Sequence, residues 1–533
     1  MKRLKKFMSI LLTAIMVLAM CVPVMADENL YAITITNPGA GHTYEAYQIF
    51  KGEISDGKLT DIDWGNGVNS FTYKNKTTAQ DIANELEVSK SAADFAKEAG
   101  NHLATVAGTA TVSSDGTCVI GNLQAGYYLV KDKDNTVPED SSYTDFILKV
   151  AGNVTVSTKM DVPTVEKKVK ENVKETNTRG EETDTRIPSY KIPAQYNDVA
   201  DYNIGDHVPF QLIGTMPSNI DSYTSYSYEF VDTLSKGLTY DKNATVKLKK
   251  SDGSETFITV TPAVSKDETT GITTLKITFA DIKDVAKANT FTITSDTKVI
   301  VDYTATLNAN AEIGKTGNEN EVYLNFSNNP NGSGNGKTTE DKVIVFTYEL
   351  DTEKIDGTDN NKKLKDAEFI LKDSTGTKYA KVEKDKFTGW TRDKNEATTL
   401  ITDKDGLIKV AGLDAGTYLI EETKAPAGYN KLTGDVTIVI TATTVNGQTW
   451  NGTTDAAITE LKVTSQNPGE STTSSGTASA DTGIAKVQIA NNSGSTLPST
   501  GGIGTTIFYV VGVILMLGAG VLLVTKKRMS SNR

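Results

Sequence analysis

The sequence predicts an all-β chain of tandem β-sandwich domains with one helical insertion, and three observations predict it. First, short runs of alternating apolar residues, rich in Thr, Val and Tyr, recur at residues 32–36, 292–294, 343–346 and 436–440. Gly, Asn and Asp punctuate them, as turns punctuate short strands. Second, 533 residues are too many for one domain and fit three or four. Third, a unit repeats: Asp115-Gly116, Leu123, Ala125-Gly126 and Tyr128-Leu129 recur at one constant offset as Asp405-Gly406, Leu413, Ala415-Gly416 and Tyr418-Leu419. An Asp-Gly turn followed by a Tyr-Leu strand explains both copies. The first and third domains therefore share a supersecondary unit that the second does not show.

Composition narrows the function classes. A hydrophobic fraction of 38% supports packed cores, and 43 Gly against 13 Pro fits neither a collagen-like nor a Pro-rich rod. A formal charge of -12 argues against nucleic acid as a partner, because phosphate binding needs a basic face. Two cysteines, Cys21 and Cys118, make no disulfide framework, and three histidines (His42, His102, His207) lie far apart. No nucleophile–His–acid set, phosphate loop or metal cluster is legible, so the chain reads as no enzyme, with no cofactor and no metal.

From the N-terminus, Lys2-Arg3-Leu4-Lys5-Lys6 precedes an apolar run over residues 7 to about 22, and Val24-Met25-Ala26 follows. This is a secretory signal peptide, residues 1–26; the run is shorter than the roughly 20 residues of a membrane span. Cleavage after Ala26 removes Cys21 and leaves Cys118 as the one thiol. The exported chain then has no internal disulfide, although its compartment permits them.

The first domain is assigned to residues 27–163. Within it, residues 78–99 carry Ile82, Leu86, Phe95 and Ala99 at helical spacing, so a helix is expected to cover one face. The second domain is assigned to residues 164–347 and the third to residues 348–493. Asp403-x-Asp405-Gly406 reads as a hairpin turn; an EF-hand needs Gly at its sixth position and Glu at its twelfth, and here Gly406 is fourth. Residues 465–482, rich in Ser, Thr and Gly, read as a flexible loop.

Residues 494–533 close the chain. Leu497-Pro498-Ser499-Thr500-Gly501 is followed by an apolar stretch over residues 503–524 and by Lys526-Lys527-Arg528. The stretch is long enough to span a bilayer and the basic tail stays inside. All three parts in this order resemble a Gram-positive cell-wall sorting signal. The resemblance implies sortase cleavage between Thr500 and Gly501, leaving Thr500 as an acyl group for an amine.

Strand phase brings chemistry into the third domain. In Phe346-Thr347-Tyr348-Glu349-Leu350-Asp351-Thr352-Glu353-Lys354, a period of two puts Lys354 on the face of Tyr348, Leu350 and Thr352. In Val487-Gln488-Ile489-Ala490-Asn491 it puts Asn491 with Val487 and Ile489. Tyr418-x-Ile420-x-Glu422-Thr423-Lys424-Ala425-Pro426-Ala427-Gly428-Tyr429 resembles the E-box of Gram-positive pilins, and the strand that carries Lys354 resembles the first strand of a CnaB-type immunoglobulin-like domain. Such domains join a lysine to an asparagine by an isopeptide bond beside an acid, so the resemblance implies a Lys354–Asn491 bond promoted by Glu422. Burial favours the neutral, nucleophilic amine and a carboxyl that keeps its proton, and fixed contact raises effective molarity.

The second domain repeats the pattern. Lys167 is in phase with Val165 and Val169, while Lys168 faces outward; Asn320 is in phase with Val322, Leu324 and Phe326. Together with Asp232 in Val231-Asp232-Thr233-Leu234, with Ile204-Gly205-Asp206 and with Phe326-Ser327-Asn328-Asn329-Pro330, these stretches resemble the D2 (CnaA-like) domain of isopeptide-forming fimbrial subunits. The resemblance implies a Lys167–Asn320 bond promoted by Asp232; Asn328 and Asp206 are the competing asparagine and acid. The first domain offers no such amine, since no lysine occurs from Asp27 to Phe50, and Asp132 stands where the repeat places Glu422. No bond of this type is expected there.

Val154-Thr155-Val156-Ser157-Thr158-Lys159 closes the first domain and resembles the pilin motif, a Val-x-Val strand ending in Tyr-Pro-Lys-Asn, with Ser157-Thr158 and Met160 departing from it. The resemblance implies Lys159 as the nucleophile that captures Thr500 of the next subunit; Lys168 and Lys170 are the exposed substitutes. As a whole the chain resembles the backbone subunits of sortase-assembled pili. That implies a structural role at the cell wall, with sortase, further copies of the chain, minor or tip pilins and peptidoglycan as partners, and host or bacterial surface ligands for an adhesive fibre. The competing reading is a monomeric wall-anchored adhesin or a pilus-base subunit using the same domains as a stalk.

Overall fold

The computed structural model describes residues 30–150, 153–172, 196–444, 450, 452, 457–495 and 503–530. The signal segment and Leu497–Gly501 lie outside the described residues. Alternation of apolar and polar residues builds strands almost throughout, as Asn318–Ser327 shows: Val322, Leu324 and Phe326 point inward and the residues between them outward.

In the N-terminal part, a three-stranded sheet (Cys118–Leu123, Tyr31–Thr36, Val154–Ser157) faces a five-stranded one built on the long strand Thr43–Ser55. Ile33, Ile35, Tyr44, Ala46, Ile120 and Val130 pack between them. The far side of the larger sheet is covered by helical residues Ile82, Phe95 and Ala99 against Ile49 and Phe50. The one helix expected over residues 78–99 is two, Ala79–Ser89 and Ala92–Gly100. Lys90 takes a left-handed φ of 51° and donates its N–H to Leu86, ending the first helix, and Ser91 precedes the second. The apolar phase alone did not reveal that break.

Among the described residues, the middle part is a sandwich of two seven-stranded sheets. In one, Val165–Lys170, His207–Gly214 and Lys298–Leu307 are successive neighbours; in the other, Asp341–Phe346, Asn318–Ser327 and Tyr228–Leu234 are. One core joins them, with Phe210, Leu212, Phe230, Val301 and Leu324 at its centre.

The C-terminal part is one continuous path of strands. Tyr348–Asp356 lies between Leu407–Leu413 and, in parallel, Ile484–Asn491. The repeated unit has the same course in both copies. Gly116 and Gly406, at φ 78° and 72°, close turns on Ser113 and Asp403, and the chain then crosses from one set of strand neighbours to another. Asp403 Oδ1 accepts the N–H groups of Asp405 and Leu407, so this carboxylate shapes the turn. The loop expected over residues 465–482 contains two short strands, Ser474–Ser475 and Thr477–Ser479, paired with Ile458–Gln466 and Ile484–Asn491. Composition concealed them because edge strands need few apolar residues. Finally, Ile503–Ser530 is one helix, and Gly504–Ser530, with none of its residues buried, is long and apolar enough to cross a membrane.

Candidate functional site

In the C-terminal part, three strands bring Lys354, Glu422 and Asn491 together. Parallel pairing sets Lys354 opposite Ile489 and Asp356 opposite Asn491, so the two side chains converge on one face. Glu422 arrives from Gly416–Lys424, opposite Phe369. All three are buried. The Lys354 ammonium donates to Asn491 Oδ1. Glu422 Oε1 lies 3.3 Å from Lys354 Nζ and accepts from Asn491 Nδ2 at 2.8 Å, while Oε2 accepts the Leu432 N–H at 2.7 Å. One carboxylate oxygen thus touches both nitrogens that an amide exchange would use. Lys354 also sits 5.5 Å from the centroid of the Phe369 ring. Burial pulls its amine down to about 8, although Glu422 pulls the other way.

The middle part assembles four residues. Lys167, on Val165–Lys170, donates to Asp232 Oδ1, and at 3.2 Å to the hydroxyl of Tyr303. Tyr303 donates to Asp232 Oδ2 and accepts from Asn320 Nδ2 at 2.7 Å. Asp232 and Asn320 stand on adjacent antiparallel strands, with Leu234 opposite Asn320. Lys167, Asp232 and Asn320 are fully buried. Burial lowers the Lys167 amine despite Asp232, and burial followed by Asp232 raises the Tyr303 phenol well above its ordinary value. Among the described residues, Asn320 Oδ1 is buried with no hydrogen-bond partner, a loss worth about 1–3 kcal/mol. Among those residues the carboxamide is held through its nitrogen, by Tyr303.

The competitors stand elsewhere. Asn328 donates to the Ser141 carbonyl at 3.2 Å, at the junction with the N-terminal part. Asp206 accepts from the backbone and side chain of Asn203. Tyr303 was missed by the sequence reading. Its signal was available: it shares the inward phase of Val299, Val301 and Ala305, and a buried phenol needs a partner.

The N-terminal part corrects the expectation that no serine–histidine–acid set exists. His42 Nδ1 lies 2.7 Å from Asp132 Oδ1, and His42 Nε2 lies 2.7 Å from Ser141 Oγ. His42 and Asp132 are buried. Nothing in the spacing of three residues from separate segments announces this contact. Asp132 occupies the position that Glu422 holds in the other copy of the repeat, and it faces a histidine where Glu422 faces a lysine.

Lys159 lies just beyond Val154–Ser157 with its side chain exposed. Lys168, expected to be exposed, is pinned by Asp198 at 2.6 Å and Glu166 at 3.0 Å, with 11% of its side chain accessible. Lys170 is half-buried. Thr500 and the rest of the sorting motif are outside the described residues.

Three family models match the chain: a Gram-positive pilin backbone subunit, Cna-B-like domain over residues 204–330, a SpaA prealbumin-like fold domain over residues 349–454, and an LPXTG cell wall anchor motif over residues 490–531. The trypsin-resistant surface T6 protein of Streptococcus pyogenes serotype M6 is 22% identical over 383 residues, which cover 61% of this chain and 65% of that protein. The chain thus matches less than two thirds of that relative's length. Among solved structures, the T6 backbone pilin of serotype M6 Streptococcus pyogenes superposes with a TM-score of 0.52 at 17% identity, covering 89% of this chain and all of that one. That likeness shows a shared all-β, multi-domain fold. The anchor motif and the apolar C-terminal helix make this a cell wall-anchored surface protein with a transient membrane anchor. The chain thus carries segments similar to the Gram-positive pilin backbone, prealbumin-like and LPXTG cell wall anchor families, over residues 204–330, 349–454 and 490–531.

Proposed function

We propose that the protein is the backbone subunit of a covalently polymerised pilus, anchored to the cell wall by sortase and braced by two intramolecular lysine–asparagine isopeptide bonds. Two buried lysine–acid–asparagine sets, in successive parts of a chain that ends in a wall anchor, carry this reading. The subunit is organised as residues 27–163, 164–347 and 348–493, between a cleaved signal peptide and the sorting signal.

In the third domain the neutral Lys354 amine attacks Asn491 Cγ. The bond from Cγ to Nδ2 breaks and Nδ2 leaves as ammonia. The lysine gives up one proton and the departing nitrogen gains one. Glu422, in contact with both, carries it across and ends unchanged. Contact between the reacting groups replaces a bimolecular encounter, worth roughly 7–11 kcal/mol of barrier when alignment is good. In the second domain Asp232 takes the proton from Lys167, but the Tyr303 hydroxyl stands between this acid and the leaving nitrogen of Asn320. Aspartate is one methylene shorter than glutamate, and the phenol bridges the difference. Each bond forms once, so this is maturation without turnover.

Between subunits, sortase cleaves after Thr500 and passes its acyl group to the exposed Lys159 amine of the next copy. Repetition gives an open, head-to-tail fibre, to which minor or tip pilins and finally peptidoglycan are joined. The test is a wall extract from the native host. A high-molecular-weight, SDS-resistant ladder recognised by antibody to this chain is expected, and a single monomer band under conditions of expression and anchoring would refute polymerisation.

A further inference from the structure

The Ser141–His42–Asp132 chain takes no part in the bonds proposed above, yet its buried histidine and carboxylate are expensive to place in a core. The packing around them is specific. A Cβ on Gly39 would lie 2.4 Å from the His42 ring, so glycine at position 39 is what admits the imidazole. Asp132 accepts from His42 with one oxygen, and with the other from the backbone N–H of Thr144 at 2.6 Å. Thr144, itself buried, uses its hydroxyl to accept the backbone N–H of Lys159 at 2.9 Å.

The Lys159 segment is held on its other bonds as well. The Lys159 carbonyl accepts from Asp145 N–H at 3.1 Å and from Asn219 Nδ2 at 3.2 Å. Ser142 donates to the Asp161 carbonyl at 2.8 Å, and Thr158 to the Asn37 carbonyl at 2.7 Å. The backbone on both sides of Lys159 is therefore fixed by the N-terminal and middle parts together, while the side chain stays exposed.

We propose that His42, Asp132 and Thr144 are positioning residues that present the Lys159 amine to the sortase-bound acyl group. The acid that promotes a bond in the third domain, at the equivalent place in the repeat, orients a nucleophile in the first. His42 fixes the rotamer of Asp132, Asp132 fixes Thr144, and the Thr144 hydroxyl fixes the backbone from which the lysine projects. This deepens the proposed function and rests on Lys159 being the acceptor. Displacement of a reacting group by about 1 Å can cost on the order of a hundredfold in rate, so loosening this hydroxyl contact should slow polymerisation without unfolding the subunit.

The experiment expresses the full chain in the native host as wild type, Lys159→Arg, Thr144→Val and Thr144→Ser. Valine is isosteric with threonine but has no hydroxyl; serine retains it. Lys159→Arg should abolish the ladder. Thr144→Val should lower the initial rate of ladder formation by roughly tenfold or more, with monomer still anchored and its melting temperature within a few degrees of wild type, and Thr144→Ser should restore the rate. A wild-type rate in Thr144→Val, with Lys159→Arg inactive, overturns the positioning role and leaves Lys159 as acceptor. An unchanged ladder in Lys159→Arg overturns both. Labelling of Ser141 by a fluorophosphonate probe would also overturn the assignment, because it would make the histidine a general base for that hydroxyl.

Discussion

Replacing Glu422 with glutamine isolates the acid's role in the third domain. Glutamine has the same shape, and its carbonyl can still accept the Leu432 N–H that Glu422 accepts at 2.7 Å. Its NH2 group then faces Asn491 Nδ2 and Lys354 Nζ, both donors, where Oε1 stood at 2.8 and 3.3 Å. No group remains to take the lysine proton, so the bond should not form. The two residues are 137 positions apart in sequence, and closing a loop of that length contributes about 5 kcal/mol in the chain-entropy model. A domain of this size shifts by about 3 °C for each kcal/mol, so its transition should fall by roughly 15 °C. Residues 27–500 of wild type and variant would be compared by intact mass, peptide mapping and calorimetry. The variant should be heavier than wild type by nearly the mass of one ammonia molecule and yield Lys354 and Asn491 in separate peptides. A Lys354–Asn491 peptide recovered from the variant in wild-type yield would show that Glu422 does not promote the bond.

Three further outcomes follow from the same geometry. Wild-type residues 27–500 should weigh less than the plain sequence by two ammonia molecules; a mass equal to the plain sequence refutes both bonds. Tyr303→Phe keeps the ring but removes the bridge between Asp232 and Asn320, so the second-domain bond should form at least tenfold more slowly during refolding, while the third-domain bond keeps its wild-type rate; equal second-domain rates would remove the phenol from the mechanism. The pH profile of third-domain bond formation has a definite sign. Only the neutral Lys354 amine can attack Asn491, and burial lets it lose its proton as pH rises through about 8. The rate should therefore climb with pH and level off above about 8, whereas a rate unchanged between pH 6 and 9 would mean that deprotonation of Lys354 does not limit the reaction.

Strand phase made much of the geometry readable. Lys354, Glu422 and Asn491 each lie on an alternating run whose inward positions are mostly apolar, and a period of two sets the phase of such runs. The same holds for Lys167 and Asn320. What escaped depended on tertiary proximity. Tyr303 looked like one more aromatic core residue, since its function lies in which three polar atoms surround its hydroxyl. His42, Asp132 and Ser141 come from separate segments joined by the fold. Lys168 does face away from Lys167, yet Asp198 from a distant segment pins it. Outward phase is not the same as exposure where sheets meet other parts of the chain.

The central claim is that copies of this chain are joined by an amide between Thr500 and Lys159. The most direct measurement is tandem mass spectrometry of protease digests of the SDS-resistant wall material. The expected product is a branched peptide in which the carbonyl of Thr500, ending Leu497-Pro498-Ser499-Thr500, is bonded to Nζ of Lys159. A branch at any other lysine, or wall material carrying Thr500 on peptidoglycan alone, would contradict it.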